Sequence, residues 1–355
     1  MSLRIRFGLL AATAVTAVAM FAGCVPMSAS GEPTASTSPT EVVTVSPTPA
    51  PPVWTVAFGG ECDTMLSPSQ RSSVLGADTV DADVQRAEYR KQFNTVAFPD
   101  KTPGPEGTAG GLSCGWTEQG GNGRWWNVLA LPAPLADPQT VAALAEPTCD
   151  WSYDTRVCRL GVTAGDLWFL ATASPMGESE AAPVDTLRAL IAAAAANASS
   201  AAAAVPATVT AQRWPIVACA ELGDRMKLAE VLGEGYWSGY WEGSRQAEDD
   251  VFEYAGVQQF CQYGTGDGAA EGAHYIVSVT SQPGGAWMWS AQDDAVGEVT
   301  TVAGAQKALR ILKGDPGRGD DVLATDGTNL IRVHVGSGQI APDIAERAIA
   351  ALAQE

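Results

Sequence analysis

The spacing of apolar residues in the second half of the chain predicts three helices. Residues 224–232 form a short helical segment that Gly233 ends. Residues 302–312 carry one apolar stripe at helical spacing. A closing helix begins at Pro342. Proline fits this position because a backbone N–H in the first turn of a helix has no hydrogen-bond partner within the helix. One side of that closing helix is apolar and consists of Ile344, Ala345, Ala348, Ile349 and Leu352.

Strands are predicted between these helices. Residues 258–263 and 274–280 read as one pair, and residues 321–324 and 330–335 as another pair around a turn. Apolar and polar residues alternate in the last strand, which places His334 on its solvent-facing side. The order helix, hairpin, helix, hairpin, helix predicts an α+β domain, with an antiparallel sheet and helices on one face.

The same pattern occurs twice along the chain. Cys62 is followed twelve residues later by Val74-Leu75-Gly76, and Cys219 is followed at the same distance by Val231-Leu232-Gly233. Further matches keep the same order, such as Gly165-Asp166-Leu167-Trp168-Phe169 against Gly327-Thr328-Asn329-Leu330-Ile331. An internal repeat of this kind indicates a duplication. We expect two tandem α+β repeats, residues 53–204 and 205–355.

The N-terminus has the organisation of an export signal. Residues 1–23 combine two arginines, an apolar run too short to span a bilayer comfortably and a small-residue end, which predicts a lipoprotein signal peptide. The following Cys24 is the predicted lipidation site, although a plain signal peptide followed by an incidental cysteine is the alternative. Residues 24–52 are rich in Ser, Thr and Pro and predict a tether without a packed core. The expected location is the extracytoplasmic face of a bacterial cell membrane.

The charge of the chain restricts its partners. The 355 residues include 21 Lys+Arg and 40 Asp+Glu, a formal net charge of -19. Such a chain is a poor partner for nucleic acid or for an acidic membrane surface, so the lipid is its only expected membrane contact. The pattern predicts nothing about the oligomeric state.

The cysteines predict a disulfide framework. Of the seven cysteines, Cys24 is assigned to the lipid, which leaves an even number for pairing. Equivalent positions in the two repeats should make equivalent bonds, Cys62 with Cys114 and Cys219 with Cys261. Cys149 and Cys158 then pair across a short turn between strands that the second repeat is expected to lack. A metal site is a weak alternative because the chain has no CxxC motif and only two histidines.

The sequence contains no GxxxxGK[ST] phosphate loop and no HExxH helix. We therefore expect no enzyme, no cofactor and no metal. A hydrolase that uses a pair of carboxylates or His274 is the remaining alternative, and it would require two buried acids close together.

Aromatic residues are the strongest indication of a binding site. The chain has 11 Trp, and one group of rings directly follows the short helix of the second repeat: Tyr236, Trp237, Tyr240 and Trp241. Flat rings stack against sugar faces and apolar chains, so these four residues are the predicted ligand contacts. Trp287 and Trp289 lie in a second segment rich in aromatic residues. The alternative interpretation is that all these rings only cover a sheet face.

A resemblance adds to this interpretation. Each repeat starts with a cysteine, continues with a short helix ending in Val-Leu-Gly and includes a strand with Cys-x-aromatic. This pattern resembles secreted actinobacterial lipoproteins of unknown function, and it is similar to the extracellular sensor domain of mycobacterial receptor-type Ser/Thr kinases. The resemblance implies a disulfide-stapled α+β module that binds an envelope component.

Three hypotheses about function follow from the sequence. The first is a non-enzymatic, lipid-anchored envelope protein whose duplicated domains bind a cell-wall or extracellular ligand in a sensor-like manner. The second is an envelope scaffold that recognises a protein partner through an apolar patch at the junction of the repeats. The third is the extracytoplasmic hydrolase.

Overall fold

The computed structural model describes the folded part of the chain in ten stretches. They are residues 54–85, 104–118, 124–152, 155–176, 182–239, 247–265, 274–292, 297–312, 319–336 and 340–354. Residues Pro51–Glu355 form one compact unit. The predicted signal peptide, Cys24 and the tether lie outside the described stretches. In none of these stretches is a helix both long and apolar enough to cross a bilayer.

Eight α-helices lie in the described stretches. They are α1 (Cys62–Met65), α2 (Pro68–Leu75), α3 (Pro138–Ala143), α4 (Val184–Ala198), α5 (Cys219–Arg225), α6 (Ala229–Leu232), α7 (Ala247–Tyr254) and α8 (Ala341–Leu352). Short 3-10 helices span Ala57–Gly60, Pro105–Ala109, Ala133–Leu135 and Gly285–Gln292. The predicted helix 224–232 is divided between α5 and α6, because Lys227 has a φ of 55° and interrupts the helical backbone.

The strands form two antiparallel sheets. The first sheet contains β1 (Thr79–Asp81), β2 (Leu112–Glu118), β3 (Trp125–Pro132), β4 (Thr148–Ser152), β5 (Thr155–Ala164) and β6 (Leu167–Met176). The second contains β7 (Trp237–Gly239), β8 (Gln259–Thr265), β9 (His274–Gln282), β10 (Glu298–Val299), β11 (Lys307–Leu312), β12 (Asp320–Thr325) and β13 (Leu330–Val335). The predicted α+β class is confirmed.

The two sheets have the same strand order, as a duplication requires. The first runs β1-β2-β3-β6-β5-β4, and the second runs β7-β8-β9-β13-β12-β11 with β10 added at its edge. The closing helices occupy matching places, because α4 packs on the inner face of the first sheet and α8 on that of the second. We call the faces under α4 and α8 the inner faces and the opposite faces the outer faces.

Three disulfides connect the elements as the repeat predicts. Cys62 of α1 is bonded to Cys114 of β2, and Cys219 of α5 is bonded to Cys261 of β8. The third bond joins Cys149 of β4 to Cys158 of β5. In each repeat the cysteine that begins a short helix is therefore tied to the second strand of the sheet.

The N-terminal end of the folded unit pairs with the segment that connects the two repeats. The backbone N–H of Thr55 donates to the carbonyl of Val205 at 3.0 Å, and the N–H of Val205 donates back at 2.8 Å. The backbone of Ala207 continues this contact by donating to the carbonyl of Thr108. Residues 205–207 thus run along the first repeat.

The helix predicted for residues 302–312 is wrong. Residues 307–312 form strand β11, which pairs with all of β12, and Gly304 has a φ of 83°, which a helix interior excludes. This strand is buried on both sides, Ala308 towards the inner core and Ile311 towards the outer face, so it lacks the alternation by which strands are recognised. The second repeat therefore does have a counterpart of the hairpin β4–β5, namely β11–β12.

The prediction that helices cover only one face of each sheet is also wrong. Helix α7, which belongs to the second repeat, packs with α3 against the outer face of the first sheet. The 3-10 helix Gly285–Gln292 covers part of the outer face of the second sheet. The reason is that some strands are apolar on both faces, as Leu129 and Leu170 of the first sheet show.

Candidate functional site

The ring of Tyr236, a predicted ligand contact, is packed against the core of the second repeat. Its centroid lies 6.1 Å from that of Tyr263, and its hydroxyl donates to Asp224 Oδ1 at 3.3 Å. Gly223 allows this approach, because a Cβ there would lie 2.6 Å from the Tyr236 hydroxyl. Burial and the neighbouring Asp224 carboxylate raise the pKa of Tyr236. These contacts give the ring a structural role.

The other three predicted contacts do not form a described platform with it. Trp237 lies in the edge strand β7, where it pairs with Gly264 and is half-buried. Tyr240 and Trp241 fall outside the described residues. The grouping of the four rings as a ligand platform therefore stays a prediction.

Trp287 joins the two repeats. Its ring lies 4.9 Å from that of Trp54, and its Nε1 donates to Thr108 Oγ1 at 2.9 Å. Both partners precede or belong to the first repeat, whereas Trp287 belongs to the second. This tryptophan thus packs within the folded unit.

Trp289 lies at a surface groove of about 470 Å³. The Lys307 ammonium lies 6.0 Å from the centroid of the Trp289 ring, which is at the limit of a cation–π contact. The other lining residues are Val299, Thr300, Thr301, Val302, Ala305, Gln306, Ala308 and Leu309. The groove therefore combines a flat ring, one positive charge, hydroxyl groups and an amide.

Hydrogen bonds hold the wall of this groove. Between β10 and β11, the N–H of Thr300 donates to the carbonyl of Ala308 and the N–H of Ala305 to that of Val302. The N–H of Gln306 donates to the carbonyl of Thr325 at 2.7 Å. Gly327 lies under the Gln306 side chain, since a Cβ there would come within 2.5 Å of it. Hydrogen bonds within the second repeat thus fix the backbone of this wall.

Sequence reasoning identified Trp289 but missed the residues opposite it. Thr300, Gln306 and Lys307 fall in or beside the segment for which a helix was predicted, so no signal connected them with the tryptophan. The available signal was a strand assignment for residues 307–312, which would have placed Lys307 beside the edge strand β10.

A larger groove of about 740 Å³ lies beside the end of α4. Its lining is mainly alanine, proline and glycine, and Asp166 and Ser199 are its only polar side chains. Small apolar residues give few contacts that orient a ligand. The Trp289 groove is therefore the better candidate binding site.

The outer face of the second sheet carries an acid and a histidine side by side. Asp321 Oδ1 lies 2.5 Å from His334 Nδ1, and Asp321 Oδ2 lies 3.7 Å from Arg332 Nη2. Ser278 is directly opposite His334 on the next strand. His334 lies on the predicted outward side of its strand and is half-buried there. His274 is the first residue of β9, and its side chain lies outside the described part of the chain.

The buried acids are separated from one another. Asp320 and Asp321 are both buried, but as consecutive residues of a strand they point to opposite faces of the sheet. Glu106 is buried in the first repeat, where its Oε1 accepts hydrogen bonds from the N–H groups of Gly104 at 2.8 Å and Ser113 at 3.1 Å. Burial raises the pKa of Glu106, and these hydrogen bonds partly oppose that shift. The described stretches contain no group of three or more His, Cys, Asp or Glu side chains arranged to hold a metal ion.

Comparisons with known proteins place the chain in no family. No family model matches it, and no curated protein matches it significantly. Among solved structures, the di-domain ARO/CYC StfQ from the steffimycin biosynthetic pathway is similar at a TM-score of 0.13 and 10% identity. That match covers 64% of this chain and 71% of the other. A likeness this low carries no argument about fold or function.

Proposed function

We propose that the chain is a non-enzymatic, lipid-anchored binding protein of the cell envelope, whose second repeat binds a saccharide that carries a carboxylate. The observation that carries this proposal is the position of the Lys307 ammonium above the Trp289 ring in a groove of about 470 Å³. A sugar ring would stack on Trp289, and its carboxylate would meet Lys307.

The charge of the chain makes a local cation significant. With a net charge of -19, the chain as a whole repels an anion, so a ligand with a carboxylate needs a positive group at its binding site. Lys307 supplies that charge beside an apolar ring, while the hydroxyl and amide groups of Thr300 and Gln306 offer hydrogen bonds to sugar hydroxyls. These features support binding, and the sensor-like role is part of the same proposal.

Two further features support the location. Three disulfides are typical of proteins outside the reducing cytosol. The predicted lipid on Cys24 and the predicted tether would hold the binding protein at the membrane, where cell-wall fragments are available. The function does not need a catalytic group.

Titration with peptidoglycan fragments tests this proposal. The chain without its signal peptide and with Cys24→Ser is titrated, and tryptophan fluorescence and isothermal calorimetry report binding. We expect saturable binding that weakens at least about tenfold in Trp289→Ala and in Lys307→Met, because each removes one of the two main contacts. Trp151→Ala is the matched control, since this tryptophan is 55% exposed and lies outside the groove.

The outcomes separate the possibilities. Binding that is equal in wild type, Trp289→Ala and Lys307→Met places the ligand elsewhere and contradicts the groove. Neutral oligosaccharides that bind as well as carboxylated ones contradict the role of Lys307. Absence of binding to every fragment contradicts the saccharide ligand.

The scaffold that recognises a protein partner through an apolar patch at the junction of the repeats remains the alternative hypothesis. The apolar residues at the junction of the repeats are packed against one another, with Leu131 and Trp168 of the first sheet against Val251 of α7 and Val257. These side chains are buried, whereas Val205 and Val209 of the connection and Tyr254 of α7 are exposed and are the apolar residues that a partner could contact there.

A further inference from the structure

The equivalence of the two sheets extends to the hairpins β4–β5 and β11–β12. Thr172 of β6 and His334 of β13 occupy equivalent positions, because the matching segments that precede them have the same spacing. Arg159 of β5 pairs with Thr172, and Asp321 of β12 pairs in the same way with His334. Arg159 and Asp321 are therefore equivalent, and the two hairpins can be compared residue by residue.

The second repeat pairs these strands without a disulfide. Cys158 and Asp320 each precede the equivalent residue of their strand, and the residues directly opposite them are Cys149 and Leu312. Leu312 and Asp320 have no sulfur to bond, yet all of β11 pairs with β12. The architecture of the hairpin therefore does not require the Cys149–Cys158 bond.

The position of this bond in the sequence limits the stability that it supplies. Its two cysteines are 9 residues apart, whereas the cysteines of the other two disulfides are 52 and 42 residues apart. In the chain-entropy model a disulfide stabilises a protein by restricting the unfolded chain, and a short loop restricts that chain least. Of the three bonds, Cys149–Cys158 is therefore the one whose loss should destabilise the fold least.

The strand pairing also holds these two cysteines closer together than the others. Their Cα atoms lie 4.0 Å apart, compared with 5.6 and 5.4 Å in the other two disulfides and roughly 4.4 to 6.8 Å in most disulfides. The pairs Thr148–Arg159 and Asp150–Val157 lie on either side, so the backbone cannot widen at the disulfide alone. A disulfide held outside the usual backbone geometry is easier to reduce than a relaxed one.

Cys149 is the half of this bond that a reductant can approach. It is half-buried and lies on β4, the last strand in the order of the first sheet, whereas Cys158 is fully buried. Cys62 and Cys219 of the other two disulfides are half-buried as well, so exposure alone does not distinguish the three bonds. Loop length, strand geometry and the second repeat distinguish Cys149–Cys158.

We propose that Cys149–Cys158 is a site of thiol–disulfide exchange with a partner protein that carries a dithiol. A thiolate of the partner attacks Sγ of Cys149, the bond to Cys158 breaks, and Cys158 leaves as a thiolate that takes up the proton lost by the first thiol. The second thiol of the partner then attacks the mixed disulfide and passes its proton to Cys149. The chain gains two electrons, and the partner ends as a disulfide.

The exchange at this site is reversible. The remaining pairs of the β4–β5 ladder keep the two thiols opposite each other after reduction, so an oxidised partner can restore the bond. The site belongs to the first repeat and is independent of the Trp289 groove and of the saccharide proposed to bind there.

Graded reduction tests the proposal. The chain without its signal peptide and with Cys24→Ser is equilibrated in glutathione buffers of increasing reducing strength, and alkylation with peptide mass spectrometry identifies the free thiols. We expect Cys149–Cys158 to be half reduced at a ratio of reduced to oxidised glutathione at least about tenfold lower than the other two bonds require. Those two bonds are the internal controls.

A thioredoxin whose second active-site cysteine is replaced by serine tests the exchange with a protein. It cannot resolve the mixed disulfide, so it should remain bonded to Cys149. The double variant Cys149→Ser with Cys158→Ser should capture none and should keep a cooperative thermal transition. The double variant Cys219→Ser with Cys261→Ser is the matched control, which should lose more thermal stability and still be captured at Cys149.

Three results would overturn the proposal. The first is reduction of Cys149–Cys158 together with the other two bonds or after them. The second is no capture of the thioredoxin, or capture at a cysteine other than Cys149. The third is a double variant Cys149→Ser with Cys158→Ser that has no cooperative thermal transition, which would make the bond a structural one.

Discussion

Asp320 of the second repeat stands at the strand position that Cys158 occupies in the first. Cys158 and Asp320 immediately precede the equivalent residues Arg159 and Asp321. Cys158 is bonded to Cys149 on the neighbouring strand, whereas Asp320 forms an ion pair of 2.6 Å with Arg310 on the corresponding strand. One repeat thus links these two strands covalently, and the other links them by charge.

This relationship predicts how the second sheet responds to mutation. Arg310→Met leaves the fully buried carboxylate of Asp320 without its cation, and we expect the free energy of unfolding to fall by about 3 to 5 kcal/mol. The double variant Arg310→Met with Asp320→Leu should lose much less, because both charges are removed together. Urea unfolding of the two variants measures the difference. Equal losses would mean that the ion pair is not what determines stability there.

Tyr236 is expected to contribute to stability and not to ligand affinity. Tyr236→Ala removes a ring packed on Tyr263 and Gly223, and the free energy of unfolding should fall by about 3 kcal/mol. Tyr236→Phe keeps the ring, so its cost should stay near 1 kcal/mol. Urea unfolding and ligand titration are carried out on both variants. A stable Tyr236→Ala protein that no longer binds ligand would restore the residue as a contact.

Glu106 is expected to make stability depend on pH. Its pKa is raised in the folded state above the ordinary value of 4.5, so the folded protein holds this proton more tightly than the unfolded chain. The resulting stabilisation is complete below the unfolded pKa and is lost as the pH rises through the folded pKa. Glu106→Gln keeps an oxygen that accepts both hydrogen bonds but has no charge to bury.

The measurement is a comparison of Glu106→Gln with wild type from about pH 4 to about pH 8. The variant should gain stability relative to wild type as the pH rises, because only wild type must bury a carboxylate. Asp137→Asn is a useful contrast, since hydrogen bonds from Thr140 lower the pKa of that exposed N-cap carboxyl. A difference between Glu106→Gln and wild type that is constant over the whole range would show that folding does not shift the pKa of Glu106.

The first repeat is not expected to fold when it is produced alone. A fragment of residues 53–204 lacks α7, so Leu129, Leu170 and their neighbours on the outer face would be exposed to water. We expect a fragment that aggregates or lacks a cooperative thermal transition. A fragment extended to residue 257, which includes α7, should be better ordered. Circular dichroism and size-exclusion chromatography compare the two, and an equally cooperative short fragment would contradict the expectation.

The sequence carried information about local contacts and about the duplication. The matching Val-Leu-Gly segments identify two helix ends at which Gly76 and Gly233 both adopt positive φ, and the repeat assigns the disulfides without any geometry. These features depend on neighbours in sequence or on the comparison of one repeat with the other. Both are visible in a single chain.

The features that were missed depend on contacts between distant segments. The 3-10 helix Gly285–Gln292 buries the second face of strand β11. Because both faces of β11 carry apolar residues, their spacing resembles that of a helix and not the alternation of a half-exposed strand. The cover of the first sheet by α7 has no signal in either segment, since an acidic helix with Val251 and Phe252 on one side fits many surfaces. Likewise, Lys307 is a candidate binding residue only because it lies beside Trp289, which belongs to a separate element.

The pairing of Thr55 with Val205 has a mechanical consequence. If the N-terminal tether holds the protein to a membrane as proposed, tension enters the folded unit at Trp54 and first loads the two backbone hydrogen bonds of this pair. Should they open, the chain can separate only as far as Cys62, where the disulfide to Cys114 transfers the load directly to β2, the second strand from the edge of the first sheet. The backbone pair of Thr55 and Val205 would therefore open before the load reaches the first sheet, and the load would then reach that sheet through a covalent bond.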